Sequence, residues 1–299
     1  MGALLALAFG AGVIAPLNPC GIALLPAYLT YHLDVATRSG RGGPPAAGLK
    51  AGAALTVGFL VLPLVALLQR APWSDLTELV RRPIVTDALR LSLVSAAVAT
   101  GLSLLGGVPL AWVLARSRLP GLSVLRALAT LPVVLPPVVG GAALLFAFGR
   151  RGLVGEPLED ATGFVLPFSI WGVIAANTFV ALPFLVLTVE SGLRAVDTRY
   201  EEAAATLGAG RWTVLRRVTL PQAAPSIVAG AVLCFARALG EFGATVTFAG
   251  NLQGRTQTMP LAVFVALESD RDAAVALSLV LVAVSLAVLV PLRDRWLRA

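Results

Sequence analysis

Long apolar runs separated by short arginine-bearing breaks divide the chain into seven segments, about 3–33, 48–69, 87–116, 123–149, 166–190, 224–249 and 273–292. Several reach or exceed the roughly 20 residues a helix needs to cross a bilayer. No succession of alternating ten-residue stretches suggests an outer-membrane barrel. The pattern predicts an all-α integral membrane protein with about seven transmembrane helices. Pro16, Pro19 and Pro26 interrupt the first segment, which is therefore expected to be kinked or partly re-entrant. Pro132, Pro136 and Pro137 interrupt the fourth and make it a candidate gate or kink, while Gly140 and Gly141 let neighbours approach. GRGGPPAAG at 40–48 reads as a flexible connector, and no internal repeat is visible.

Composition agrees with this pattern: 58% of the 299 residues are hydrophobic and only 13% charged, about half the charge of a soluble domain. The net charge of +7 sits in short loops and fits a positive-inside signal better than nucleic-acid binding. Loops 34–50, 116–126 and 191–223 and the C-terminal tail hold fourteen Lys and Arg residues; the alternate loops hold seven. The richer side is expected to be cytoplasmic, which puts the N-terminus outside and the C-terminus inside. Two cysteines and one histidine are too few for a His/Cys metal cluster, so no metal site is expected. With no basic residue before Arg38, a signal peptide is not expected either.

One loop carries specific information. In DTRYEEAAATLGAGRWTVLRRVTLP (197–221), Asp197 is a natural N-cap for the helix former TRYEEAAATL. Gly208 can supply a left-handed turn, and Gly210 adds freedom before a second short helix, RWTVLRR. Ala203, Ala204 and Ala205 are small enough for another protein to approach the backbone closely. Composition alone favours an amphipathic helix lying on the membrane surface. Spacing decides between them: Glu202-Ala203-Ala204, Gly208, Val218, Leu220 and Pro221 resemble the EAA signature of ABC-importer permeases, EAA-x3-G-x9-[IV]-x-LP. The resemblance implies that this segment is a coupling helix docking in a groove of a separate ATPase subunit. ATP and Mg2+ would then belong to that partner. The chain itself has no GK[ST] ending, since its lone lysine, Lys50, is followed by alanine; no enzyme activity and no bound cofactor are expected of it.

LARSRLPG (114–121), LPVVLPPVVGG (131–141), FARALGEFGATVTFAGN (235–251) and GRTQTMPLAVFVALE (254–268) resemble molybdate permeases of this class, over roughly residues 60–299. Sulfate and thiosulfate permeases share the RALGEFGA-like stretch and remain the alternative. The resemblance implies six spans plus one extra N-terminal span, in the bacterial inner membrane. It also implies a homodimer with the pathway at its interface, a pair of ATPase subunits and an extracytoplasmic oxyanion-binding protein. Arg237 and Glu241, four apart, are expected on one helix face. They are either a neutralised pair holding the bundle or dimer seam together, which is favoured, or a source of positive potential for a dianion. Asn177 and Thr178 are expected to hydrogen-bond between helices, with pathway lining as the sharper reading.

Residues 1–60 resemble a different family. LAFGAGVIAPLNPCGIALLPAYLTYHL and GLKAGAALTVGF are similar to cytochrome c biogenesis transmembrane proteins of the thiol–disulfide transporter group. Electron transfer there needs two cysteines, because the electrons travel as a reversible disulfide. Here Cys20 has no second proline-flanked counterpart; Cys234 lies in the permease-like region. Cys20 is therefore read as a vestigial redox residue. Two domains are expected, 1–60 and 61–299.

Overall fold

The computed structural model describes residues 46–117 and 119–296, and the description is confined to these. Cys20, the first apolar segment and most of the 40–48 connector lie outside them. The residues through Ala66 fall in one compact unit and those from Leu67 onward in another. Helix α1 (Ala46–Gln69) starts two residues before the predicted segment and takes the end of the expected connector into a helix.

In the second unit, α2 (Leu76–Arg81) leads into α3 (Pro83–Arg116), a 34-residue helix with Pro83 at its first turn. At 1.5 Å per residue α3 is about 51 Å long, well beyond the ~30 Å hydrocarbon core. Both ends can therefore project past the membrane or the helix can tilt within it.

The predicted single span at 123–149 is corrected. It is two helices, α4 (Leu122–Val134) and α5 (Pro137–Phe148), which meet at 117°. Each is about 20 Å long and too short to cross alone. Pro136 and Pro137 donate no backbone hydrogen bond, and each proline pushes the preceding residue out of the helical region. Leu135 and Pro136 are accordingly extended, with ψ of 133° and 132°.

After α6 (Gly155–Thr162), α7 (Ile170–Ala195) is capped by Ser169, whose hydroxyl accepts from Gly172 N at 3.2 Å. The loop at 197–221 forms α8 (Thr198–Thr206) and α9 (Arg211–Val214). Residues 215–219 are a single π turn that runs directly into α10 (Leu220–Leu239). The second helix of the loop is thus not a separate short element: it is the head of a 29-residue helical run from Arg211 to Leu239. The predicted segment 224–249 is corrected in turn, because Gly240 ends α10 and α11 (Gly243–Phe248) follows as a separate short helix. Two further helices complete the unit, α12 (Met259–Ser269) and α13 (Arg271–Trp296). Asp270 caps α13 by accepting from Ala273 N, and this bond, helped by Arg82 at 3.2 Å, holds its carboxyl below the usual range.

Among the described residues, four helices are long and apolar enough to span a membrane, or five when the bent α4–α5 pair counts as one. The main core lies where α3 and α10 pack against α7, around Ala96, Ala99, Ala111, Ala181, Leu185, Ala223, Cys234 and Ala238. Small side chains let membrane helices approach closely, where apolar burial gives little drive. Gly107 is pressed against Leu185 and Leu182, and Gly230 against the Leu185 backbone. A second cluster joins α5, α7 and α11 around Leu144, Ala176, Val180, Ala244 and Phe248. A Cβ on Gly141 would come within 2.8 Å of the Ala244 carbonyl, so the close approach expected of this glycine is present.

Candidate functional site: a two-faced loop helix and the ion pairs behind it

Helix α8 is set by its ends. Asp197 accepts from Arg199 N at 2.9 Å and satisfies one of the free donors of the first turn. At the other end Gly208 adopts φ +84°, with its N–H on Ala205 O and Ala209 N on Ala204 O, both at 3.0 Å. These two bonds are the Schellman arrangement, with glycine at its left-handed position. The N-cap and the turn are where the sequence predicts them. Gly210, in contrast, has φ −66° and makes no left-handed turn.

Successive helical residues are about 100° apart, so the two adjacent glutamates face different ways. Glu202, Ala203, Ala205 and Thr206 are exposed, together with Tyr200, Leu207 and Trp212. Leu207 is 88% exposed. Glu201 and Ala204 turn inward. Glu201 Oε1 accepts from Arg116 Nη2 at 3.0 Å and from Thr219 Oγ1 at 2.9 Å. Leu220 and Pro221, the end of the motif, open α10, with Pro221 within its first turn, where no donor is required.

A second junction lies at the same ends of α3 and α7. Glu190, 5% exposed, accepts on Oε1 from Arg126 Nη2 at 2.8 Å and from Arg194 Nε at 3.0 Å. Both arginines also donate to Leu114 O, a terminal carbonyl of α3. Sequence reading treated these arginines only as loop charges. Sixty-four residues separate Arg126 from Glu190, and no local pattern joins them. The local signals were a glutamate at the end of an apolar segment, where an ion normally has a partner, and Arg194 four residues further along the same helix.

Arg237 and Glu241 do pair, with Arg237 Nη1 to Glu241 Oε2 at 2.7 Å. They do not share a helix face, because Glu241 lies two residues beyond the end of α10. Its other oxygen accepts from Ala244 N at 2.8 Å, so the carboxylate caps the start of α11. Glu241 is 2% exposed and both its oxygens are engaged, which leaves a passing anion little net charge to meet. Arg237→Gln is expected to destabilise the bundle, lowering the thermal midpoint in detergent by several degrees, with transport falling only in proportion to assembled complex. Transport lost at a normal midpoint and normal assembly would instead assign Arg237 to the pathway.

Asn177 bonds between helices, donating to Ser95 Oγ at 3.2 Å and accepting from Thr245 Oγ1 at 3.5 Å. Thr178 does not: its hydroxyl returns to Ile174 O of its own helix at 2.7 Å. Pro132, Pro136 and Pro137 sit at the α4–α5 bend, away from α8 in sequence. Among the described residues no group of three or more His, Cys, Asp or Glu side chains could hold a metal ion.

A family model, "Binding-protein-dependent transport system inner membrane component", matches residues 107–299. The molybdenum transport system permease protein ModB of Mycobacterium tuberculosis is 52% identical over 237 residues, 79% of this chain and 89% of the relative. ModB of Escherichia coli K12 is 42% identical over 218 residues, 72% and 95% of the two chains. The E. coli K12 sulfate transport system permease protein CysT is 40% identical over 235 residues, 77% and 84%. Among solved structures, a bacterial ABC transporter involved in alginate import aligns with a TM-score of 0.66 at 19% identity, covering 85% of this chain and 94% of that one. The inward-facing MetNI methionine ABC transporter aligns with a TM-score of 0.57 at 17% identity, covering 72% and 95%. At these identities the structural likeness concerns the fold.

Proposed function

The chain belongs to the family of binding-protein-dependent transport system inner membrane components, and from that premise we propose that it carries molybdate. It is the permease of an ABC importer: a multi-pass protein of the bacterial inner membrane and a transport component, not an enzyme. Proteins of this kind work with an ATPase and a binding protein. The observation that carries the cargo assignment is the order of identities, 52% and 42% to molybdenum permeases against 40% to a sulfate permease. Sulfate or thiosulfate is the second reading, favoured by how near the last two values stand.

The working unit we propose is a homodimer of this chain with two ATPase subunits, ATP and Mg2+ acting in the latter. The permease would be residues 61–299. The coupling surface would be Glu202, Ala203 and the Gly208 turn, with the half-buried Ala204 behind them and Leu220 and Pro221 joining it to α10. Closure of the ATPase pair would move two such surfaces and switch the permease between inward- and outward-facing states. The outward-facing Glu202 and Ala203, on a short helix locked at both ends, support this reading.

Cargo is tested by competition. In vesicles holding the whole complex, uptake of labelled molybdate should persist in an excess of sulfate and be suppressed by unlabelled molybdate or tungstate. Suppression by equimolar sulfate would transfer the assignment to the sulfate reading.

A further inference from the structure

We infer that Glu201, which lies one residue before the signature, is the positioning residue that fastens α8 to the permease core and carries its movement to α3 and α10. The inference rests on the importer reading above. Among the described residues, the side-chain bonds that leave α8 for other helices are those of Glu201. One bond ends on Arg116, the last residue of α3, and the other on Thr219, the last residue before α10. A single carboxylate oxygen thus joins three elements.

The setting makes this joint stronger than an ordinary surface ion pair. The side chains of Arg116 and Glu201 are 18% and 22% exposed, and Thr219 is buried. Exposed pairs contribute little, whereas a shielded charge-assisted bond is screened less. Thr219 reaches Glu201 from a π turn, a local widening that departs from the regular helix and recurs at functional sites. Thr219 also occupies the unspecified position between Val218 and Leu220 of the signature, so the pattern conceals this contact.

Arg116 is incompletely satisfied. Its Nε is buried with no partner, and Glu201 engages only Oε1. An arginine and a carboxylate can pair through two parallel bonds, and both groups for a second bond are present here. A small shift of α8 toward Arg116 would make that second bond. A second, two-bond arrangement is thus open to the joint, which suits a connection that must hold while α8 moves. The adjacent glutamates divide the work: Glu202 faces outward toward the ATPase, and Glu201 faces inward.

The test uses the complete complex in proteoliposomes and reads oxyanion taken up per ATP hydrolysed, with labelled molybdate and labelled sulfate in parallel. Glu201→Gln keeps the size and an acceptor for Thr219 but removes the charge that holds Arg116. Uptake per ATP should fall about fivefold, with co-purification of the ATPase and hydrolysis within about twofold of wild type. The double variant Arg116→Met/Glu201→Gln should lose no more than the worse single one, since both break one joint. Thr219→Val, close in volume, removes only the second bond and should lower the ratio about threefold; it also serves if Glu201→Gln fails to assemble. An unchanged ratio in Glu201→Gln or Thr219→Val, or losses that multiply in the double variant, would overturn the inference. A wild-type complex that couples hydrolysis to neither anion would instead refute the importer reading.

Discussion

Gly208→Val is expected to lower ATP-driven uptake about tenfold or more while leaving the bundle folded. A Cβ at Gly208 would meet nothing within 4 Å, so crowding is not the obstacle. The obstacle is φ +84°, a region that costs an ordinary residue about 1–2 kcal/mol and is a genuine outlier for a β-branched one. To relieve it, the chain must give up the paired bonds from Gly208 and Ala209 to Ala205 and Ala204. The last turn of α8 then opens, and exposed Leu207 leaves its place beside the turn. A loss of 1.4 kcal/mol in the docked geometry is tenfold in an equilibrium constant, which sets the expected size. Because backbone is the cause, Asn should be tolerated best, Ala less and Val least. Uptake by the series, normalised to assembled complex, checks this order. Full coupling in the Val variant would mean that the turn has no part in transmission.

Glu190→Ala is expected to be the most damaging substitution for assembly. It removes a buried carboxylate and leaves Arg126 and Arg194 sharing only the Leu114 carbonyl. Breaking a buried ion pair typically costs about 3–5 kcal/mol. The two arginine side chains are 41% and 51% exposed, so solvent screens part of their repulsion and about 2–3 kcal/mol is the better expectation. Glu190→Gln should lose less, because an amide oxygen still accepts. Thermal midpoints and yields in detergent should fall in the order wild type, Gln, Ala. An unchanged midpoint for the Ala variant would show that the ends of α3, α4 and α7 are held by apolar packing alone.

How much of this was legible in the sequence follows from the range of each interaction. Apolar run length located α3, α7 and α13, because spanning a bilayer is a property of consecutive residues. Asp197 and Gly208 were legible for the same reason: caps and left-handed turns are set by residues a few positions apart. The proline cluster announced a disturbance at 132–137 but not its 117° angle, which depends on what α4 and α5 pack against. The end of α10 was missed because Gly240 looks like one more small residue in an apolar stretch; Glu241 becomes a cap only through its contact with Ala244. Glu190 and Glu201 were missed as joints because the partners that tie them to other helices, Arg126 and Arg116, lie 64 and 85 positions away; the local partner of Glu190, Arg194, does not by itself mark a junction. The signature drew attention to Glu202, and its inward-facing neighbour carried no pattern at all.

The most direct measurement is uptake of labelled molybdate by vesicles that contain this chain, its ATPase and its binding protein, with ATP supplied on the ATPase side. Accumulation is expected only when all three proteins and ATP are present, and it should survive Cys20→Ser. Uptake that proceeds without the ATPase, or no uptake of any oxyanion together with electron delivery to an external thiol protein that Cys20→Ser abolishes, would contradict it.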